Sequence, residues 1–286
     1  MTEIMETLAG LSLLVFVIGS MTSMGLTLKV NQIIAPLKNI KLVVLALVVN
    51  FILVPILAYL ITLALPLDEP LRIGLILLST AAGAPFLPKL AEVSKGNVAF
   101  SVGLMVLLMI VTIIYLPIVL PLLLGGVEVS PWDIAQSLIV MMLIPLTVGL
   151  FINGRYETIA TKIQPTFGQA SNIALLVMGV LGLVLNFKDM IGLVGSWGIL
   201  AGVIFIIAAA AIGYFLGGSD SGVKSVMGLG SGQRNISAAL VVAGQNFDMD
   251  VVTYLIVISV VGLVILMPLA GELGKRAGNA SAETPT

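Results

Sequence analysis

The sequence contains no cysteine and no histidine, and only 9% of its 286 residues are charged. Because cysteine is absent, disulfide bonds and thiol chemistry are excluded. The lack of histidine excludes a Ser-His catalytic pair, an HExxH zinc motif and an imidazole proton relay. We therefore predict that the protein is not an enzyme and has neither catalytic residues nor a resident cofactor.

The scarcity of charge also decides the class of protein. A soluble domain carries roughly 25% charged residues, whereas this chain is 59% hydrophobic. The composition indicates an integral membrane protein whose main surroundings are the lipid bilayer. A formal net charge of −1 gives no indication of a nucleic-acid partner. The composition leaves the oligomeric state open.

Apolar segments recur along the chain with short polar joints between them. A membrane-spanning helix needs about 20 mostly apolar residues. Nine segments satisfy this length, near residues 7–28, 39–65, 70–93, 97–124, 132–153, 167–187, 191–217, 222–246 and 249–270. Residues 273–286 are polar and rich in small side chains, and we expect them to form a flexible cytoplasmic tail.

The distribution of basic residues predicts the orientation of these spans. With the N-terminus outside, ten of the 13 basic residues fall on the cytoplasmic side. Only Arg72 and Lys188 then lie outside, and Arg234 is left within a span. The positive-inside rule favours this arrangement. We therefore expect a cytoplasmic (inner) membrane protein with its N-terminus outside and its C-terminus inside.

A weak similarity between two stretches of the chain suggests an internal repeat. "GLTLKVNQI" begins at Gly25 and "GLVLNFKDM" begins at Gly182, and the two stretches lie five spans apart. Copies separated by an odd number of spans run in opposite directions, which is typical of inverted-repeat transporters. Residues 1–94 and 95–124 would form the first repeat, with spans 1–4, and residues 125–272 the second, with spans 5–9. Such short matches also arise by chance in an apolar sequence.

The third and eighth spans, which correspond in this scheme, are the most interrupted. One reads "STAAGAPFLPKLAEV" at 79–93, and the other reads "GLGSGQRNISAAL" at 228–240. Proline removes a helix hydrogen bond, and clustered glycines make unwinding easy. Unwound backbone at membrane depth is tolerated only inside protein or beside a water-filled cavity. Matched breaks of this kind point to a transport site, whereas a kink and glycine packing would explain each break separately.

At these stretches the chain resembles the bile acid:sodium symporter family. The resemblance is carried by "GLTLK" at 25–29, "NFILVP" at 50–55, "KGNVAFSV" at 95–102 and "GSGQRN" at 230–235. It implies an all-α polytopic membrane fold with inverted repeats, a panel and a core, and two broken helices that cross. The chain looks like a nine-helix form in which the first helix of the first repeat is missing. The implied activity is uptake of an organic anion driven by two sodium ions.

Several positions depart from the family pattern at the first sodium site. Leu87 and Pro88 fall where the family has a Ser-Asn pair that contributes to this site. Ser101 keeps a hydroxyl position, but Met105 replaces the next hydroxyl. Gly230 falls where the family has the glutamate that both sodium ions share. Sodium prefers several hard oxygen ligands, by analogy with other hard cations, so these changes argue against sodium at this site.

At the second site a fixed charge replaces a neutral ligand. Asn50 stands where the family has a glutamine, and Arg234 and Asn235 stand at its Gln-Asn pair. We expect Arg234 to fill the volume of the missing sodium ion and to hydrogen-bond Asn50 and carbonyls of the unwound segments. Lys89 could do the same at the first site, or it could extend to the cytoplasmic interface. A purely structural role for Arg234 also stays open.

The substrate would then be a small organic anion held near the two breaks. Asn235 matches a family position near the substrate. Other candidate substrate-binding residues are Gln233, Ser231, Pro85, Phe86 and Thr80. With Arg234 supplying charge, coupling to sodium would not be required. Two alternatives remain at this point: a sodium-coupled symporter with rearranged ion sites, and a channel-like facilitator.

Overall fold

The computed structural model describes residues 2–34, 38–124, 130–185 and 196–282, and within these ranges all regular structure is helical, with no strand. The helices are α1 Thr2–Thr27, α2 Val30–Ile34, α3 Ile40–Ala64, α4 Glu69–Thr80, α5 Leu87–Val93, α6 Val98–Leu123, α7 Pro131–Arg155, α8 Glu157–Leu185, α9 Gly198–Leu216, α10 Ser221–Gly232, α11 Ile236–Asn246 and α12 Met249–Ala282.

Six of the described helices are long and apolar enough to cross a bilayer. They are Gly10–Thr27 within α1, the helices α3, α6, α7 and α9, and Met249–Gly278 within α12. The predicted spans 70–93 and 222–246 are each divided into two short helices, α4 with α5 and α10 with α11. The predicted span 167–187 follows the second half of α8 as far as Leu185.

Four predicted features of the chain fall at or beyond the limits of the described residues. Lys188 and most of the second similar stretch, 182–190, lie outside them, as do the first residues of the predicted span 191–217. At the other end of the chain, α12 continues through the polar residues 273–282, where the sequence predicts a flexible tail. Residues 283–286 are also outside the described part.

The two broken helices end and restart for reasons that are visible in their residues. Helix α4 ends at Thr80, and the following Gly83 has φ of +82°, a conformation that favours glycine. Helix α5 then begins with Pro88 in its first turn, where the missing N–H is harmless. Helix α11 begins where the side chain of Asn235 accepts a hydrogen bond from the Ala238 N–H.

Helices α1, α7 and α8 pack mainly on one another and form a three-helix layer. Gly25 and Gly149 allow α1 and α7 to approach closely, since a Cβ at Gly25 would overlap Leu146 O and lie 2.9 Å from Gly149 Cα. The remaining helices, α2 to α6 and α9 to α12, form a second body that we call the broken-helix bundle. The layer contacts the bundle through α6, which packs on the first half of α7, and through α11 and α12.

Two contacts connect segments that the sequence assigns to the cytoplasmic side of the membrane. Lys29 Nζ forms an ion pair of 2.7 Å with Glu157 Oε1. The Asn97 N–H donates to Gly222 O at 3.3 Å. Lys29 and Glu157 belong to two predicted joints, and Asn97 and Gly222 are the first residues of two predicted spans.

Candidate functional site

The two breaks meet at Asn235, which is fully buried. Its backbone N–H donates to Ala81 O at 2.9 Å, and its side-chain Nδ2 donates to Gly83 O at 3.0 Å. The side-chain Oδ1 accepts from Ala238 N at 3.1 Å. One residue therefore begins α11 and satisfies two carbonyls of the first break, which buried backbone requires.

Thr112 of α6 holds the first break from the other side. Its hydroxyl accepts from Ala82 N at 3.0 Å and donates to Ala82 O at 3.1 Å. Next to it, Gly83 lies directly on the backbone of α6, because a Cβ there would overlap Met109 N and lie 2.7 Å from Met105 O. The unwound segment is thus fixed by hydrogen bonds and by close packing.

Arg234 lies between the breaks and is only 4% exposed. Its Nε donates to Leu78 O at 3.2 Å and its Nη2 donates to Ser79 O at 2.6 Å, at the end of α4. Its Nη1 donates to Asn50 Oδ1 at 2.8 Å and to Ser231 O at 3.3 Å. These are the carbonyl and Asn50 contacts that the sequence suggests, and all four acceptors are neutral.

Asn50 reaches Arg234 from a wide turn of α3. Residues Val49–Leu53 form a π-helical turn, which precedes Pro55. Asn50 Nδ2 donates to Ala46 O at 3.0 Å and to Ser231 Oγ at 3.4 Å. The side-chain N–H groups of Asn50 are therefore hydrogen-bonded to Ala46 and Ser231, and its Oδ1 accepts from Arg234.

The volume beside Gly230 is filled by hydrocarbon. A Cβ at Gly230 would lie 2.9 Å from Leu87 Cδ2 and 3.8 Å from Leu104 Cδ2. Ser101 is fully buried, and its hydroxyl donates to Val98 O of its own helix at 2.6 Å. Met105 is also buried. Of the residues that the resemblance assigns to the first ion site, Gly230 and Leu87 thus meet in an apolar contact.

Two cavities flank the first break between the three-helix layer and the broken-helix bundle. The first, about 520 Å³, is lined by Arg234 and Gln233 among mostly apolar residues, and we call it the Arg234 cavity. The second, about 530 Å³, is lined by Ser23, Thr27 and Gln164, and we call it the polar cavity. Both share four lining residues, Ser20, Pro85, Ser171 and Asn172.

The predicted substrate residues separate into two groups. Gln233, Pro85 and Phe86 line the Arg234 cavity together with Arg234. Asn235, Ser231 and Thr80 are buried away from the cavity surface. The Ser231 hydroxyl accepts from Asn50 Nδ2 at 3.4 Å, and the Thr80 hydroxyl donates to Leu77 O of its own helix at 2.9 Å. Of these three residues, Asn235 joins the two breaks, whereas Ser231 contacts α3 and Thr80 contacts its own helix.

Lys89 is not among the residues that contact Arg234. It forms an exposed ion pair of 2.7 Å with Glu92, and 56% of its side chain is accessible. Leu87, Leu90 and Ala91 bury the opposite face of α5. The inward-facing positions of this short helix are therefore occupied by apolar residues. The exposed position of Lys89 fits the second alternative, in which its side chain extends to the cytoplasmic interface of the membrane.

Polar residues of the three-helix layer were not among the sequence candidates. Asn172 is accessible and lines both cavities, and Ser20 and Ser171 lie beside it. The available signal was their polarity within apolar spans, since polar residues at membrane depth usually face a cavity or the protein interior. Which side of each helix faces the bundle is decided by packing.

A polytopic helical protein in which two broken helices meet at buried polar groups, beside cavities between two bodies, has the architecture of a secondary transporter. The model of the Sodium Bile acid symporter family matches residues 13–193, which is more than half of the chain. The protein belongs to this family, as the resemblance in the sequence predicts.

Relatives in plants are consistent with this assignment. The chain is 25% identical over 233 residues to "Probable sodium/metabolite cotransporter BASS3, chloroplastic" of Arabidopsis thaliana, covering 79% of this chain and 54% of that protein. It is 28% identical over 248 residues to "Probable sodium/metabolite cotransporter BASS2, chloroplastic" of Oryza sativa subsp. japonica, covering 84% and 58%. The chain spans about half the length of the curated relatives it matches.

Proposed function

We propose that the protein is a secondary transporter that moves a small organic anion by alternating access between the three-helix layer and the broken-helix bundle. In this proposal the guanidinium of Arg234 replaces a bound sodium ion, so that transport does not require sodium. The observation that carries the proposal is the set of four hydrogen bonds from Arg234 to neutral oxygens of both breaks and of Asn50.

The architecture proposed with it is the nine-span inverted repeat. Residues 1–94 and 95–124 form the first repeat, and residues 125–272 form the second. The ion pair of Lys29 with Glu157 joins two predicted cytoplasmic joints and supports this alternation. We propose an outside N-terminus and a cytoplasmic C-terminus in an inner membrane, because the basic residues concentrate on that side.

The positive charge of the buried Arg234 supports an anionic substrate. None of the three ion pairs among the described residues includes Arg234. A charged arginine at the bilayer centre costs roughly 2.5–3.5 kcal/mol on insertion scales. Neutral hydrogen-bond acceptors offset part of this cost, and an anion in the adjoining Arg234 cavity would offset more of it. A cationic substrate would be repelled.

The two sodium positions of the family are poorly suited to sodium in this chain. Beside Gly230 the space is taken by Leu87, which offers no ligand. At the second position a sodium ion 4 Å from the guanidinium would be repelled by about 4 kcal/mol at an effective dielectric of about 20. The fixed charge makes uniport or exchange of the anion sufficient, with no co-transported cation.

The test compares anion binding with and without sodium. A panel of small carboxylates is screened by thermal shift on the purified full chain, in sodium and in potassium salts. Affinity for the best ligand should be equal in the two salts. Arg234→Gln should weaken it by more than tenfold, a change of about 1.4 kcal/mol. Lys89→Gln removes an exposed charge that does not contact Arg234 and serves as the matched control, with unchanged affinity.

A sodium-coupled symporter with rearranged ion sites is the second candidate. It is favoured by the oxygens of Asn50, Leu78 and Ser79, which surround one guanidinium group and are of the kind that binds hard cations. It predicts sodium-dependent binding that persists in Arg234→Gln, and this result would overturn the first proposal. Reconstituted vesicles separate both from a channel-like facilitator, because a carrier gives counterflow of labelled substrate and a channel does not.

A further inference from the structure

An apolar groove lies on the bundle, on a side that the mechanism above does not use. It has a volume of about 450 Å³ and lies between α9 and α12, with α10 as its floor. Its walls include Ala211, Tyr214 and Phe215 of α9 and Ile265, Leu269 and Arg276 of α12. From Ile265 to Arg276 the groove follows α12 for about 16 Å, at a rise of about 1.5 Å per residue.

The groove opens toward the surroundings of the protein within two helices that qualify as membrane spans, Gly198–Leu216 and Met249–Gly278. Phe215 on its edge is 77% exposed, so this edge faces the bilayer. Hydrocarbon chains, rather than water, are the molecules available to fill an apolar groove at this depth. The shape and location therefore suit an acyl chain.

Basic side chains lie at one end of this groove. The Arg276 side chain is 74% exposed, and only its Nε donates to Glu272, at 3.0 Å. An exposed pair of this kind contributes little stability, so a phosphate can engage the other guanidinium nitrogens. Lys224 Nζ lies 5.8 Å from the centre of the Tyr214 ring, a lining residue. The nearby acid Asp220 is engaged by Val223 N at 2.7 Å.

We infer that this groove binds an anionic phospholipid, with an acyl chain along α12 and the phosphate between Arg276 and Lys224. The combination of an apolar channel and cations at its mouth is complementary to an anionic lipid, and a neutral lipid lacks the net charge. Basic pockets between spanning helices on the cytoplasmic side recognise such head groups. The proposal does not depend on the transported substrate.

A lipid in this groove would contact the second broken helix directly. Gly228 and Leu229 of α10 form part of the groove lining, and α10 leads into the break that carries Arg234. A Cβ at Gly228 would lie 2.9 Å from Ala210 O, so α10 is already packed closely against α9. A bound chain would therefore restrict movement of α10 relative to α9 and α12.

The test measures lipid retention on the full chain. The protein is equilibrated with vesicles of phosphatidylcholine, or of phosphatidylcholine and phosphatidylglycerol in equal parts, and retained lipid is measured by native mass spectrometry. Phosphatidylglycerol should be retained in preference. Lys224→Gln and Arg276→Gln should each weaken its retention by about fivefold. Arg155→Gln with Lys162→Gln removes two exposed charges from the three-helix layer and should change nothing.

A second measurement tests whether binding requires the acyl chain in the groove as well as the charge of the head group. Phosphatidylglycerol should raise the thermal unfolding midpoint of the wild type, and glycerol 3-phosphate should not. Ala211→Phe, which fills the groove, should remove this shift. Equal retention of the two lipids, or full retention by the Lys224→Gln, Arg276→Gln double variant, would overturn the inference. A dimer that Ala211→Phe dissociates would also overturn it, because a second copy would then cover the groove.

Discussion

Arg234 Nη1 donates a 2.8 Å hydrogen bond to Asn50 Oδ1, and the two residues are 184 positions apart in the chain. This contact joins the wide turn of α3 to the second break. The same guanidinium also bonds the end of α4 through Ser79 O. One side chain therefore connects three separate elements at the centre of the bundle. Substitutions of its partners can test its charge and its packing separately.

Substitution of Asn50 separates charge from packing at this site. Asn50→Asp places a carboxylate beside the guanidinium and neutralises it, so we expect anion affinity to fall by more than tenfold while the fold is retained. Asn50→Leu removes the acceptor and should lower stability by about 1–3 kcal/mol. Isothermal titration and thermal unfolding measure the two effects. Anion affinity in Asn50→Asp equal to that of the wild type would refute the built-in charge.

Leu87 fills the space beside Gly230, so a larger side chain at position 230 should clash with it. Gly230→Ala brings a Cβ to 2.9 Å from Leu87 Cδ2, so Leu87 has to move. We expect a loss of stability of about 1–3 kcal/mol, and combining it with Leu87→Val should recover part of the loss. Thermal unfolding of the single and double variants measures this coupling. Strict additivity would show that the two residues do not compete for one volume.

Thr112 should be important for the first break through its hydroxyl. Thr112→Val keeps the shape and removes both hydrogen bonds to Ala82, so we expect a loss of about 1–3 kcal/mol. Thr112→Ser keeps the hydroxyl and is the matched control, with a smaller loss. The midpoints of thermal unfolding compare the two variants. Equal midpoints would mean that the backbone of the break is satisfied without this side chain.

The three-helix layer can be tested with two glycines of α1. Gly25→Ala directs a methyl group at the backbone of α7, which cannot rotate away, so we expect strong destabilisation of a few kcal/mol. Gly10→Ala has no atom within 4 Å of the new Cβ and should be neutral or slightly stabilising. Thermal unfolding of the two variants in the same detergent makes the comparison. A neutral Gly25→Ala would contradict the close approach of α1 and α7.

The polar residues shared by the two cavities offer a further test of the substrate path. Asn172→Leu removes the amide from both cavities without adding charge, and we expect a higher KM with little change in stability. Ile173→Leu alters the accessible neighbouring position, which lines neither cavity, and serves as the control. Uptake into reconstituted vesicles measures both. An unchanged KM in Asn172→Leu would remove this residue from the path.

Much of the framework could be predicted from composition and from local chemistry. Apolar length located the helices, and the glycine and proline clusters located both breaks within a few residues. The contact of Arg234 with Asn50 was predictable because a buried guanidinium must find acceptors and because the resemblance placed the two residues at one site. Lys89 was assigned to the site as one of two alternatives, since its position after Pro88 does not reveal which way its side chain points.

The sequence by itself determined that this chain enters a membrane, that two helices break within it, and that one arginine is buried there. These properties depend on residue types and on local backbone preferences. The tertiary structure alone decided that Leu87 fills the space beside Gly230, that Lys89 faces outward, and that Asn172 of α8 borders both cavities. Such facts depend on how helices rotate and pack against one another, which no local stretch of residues specifies.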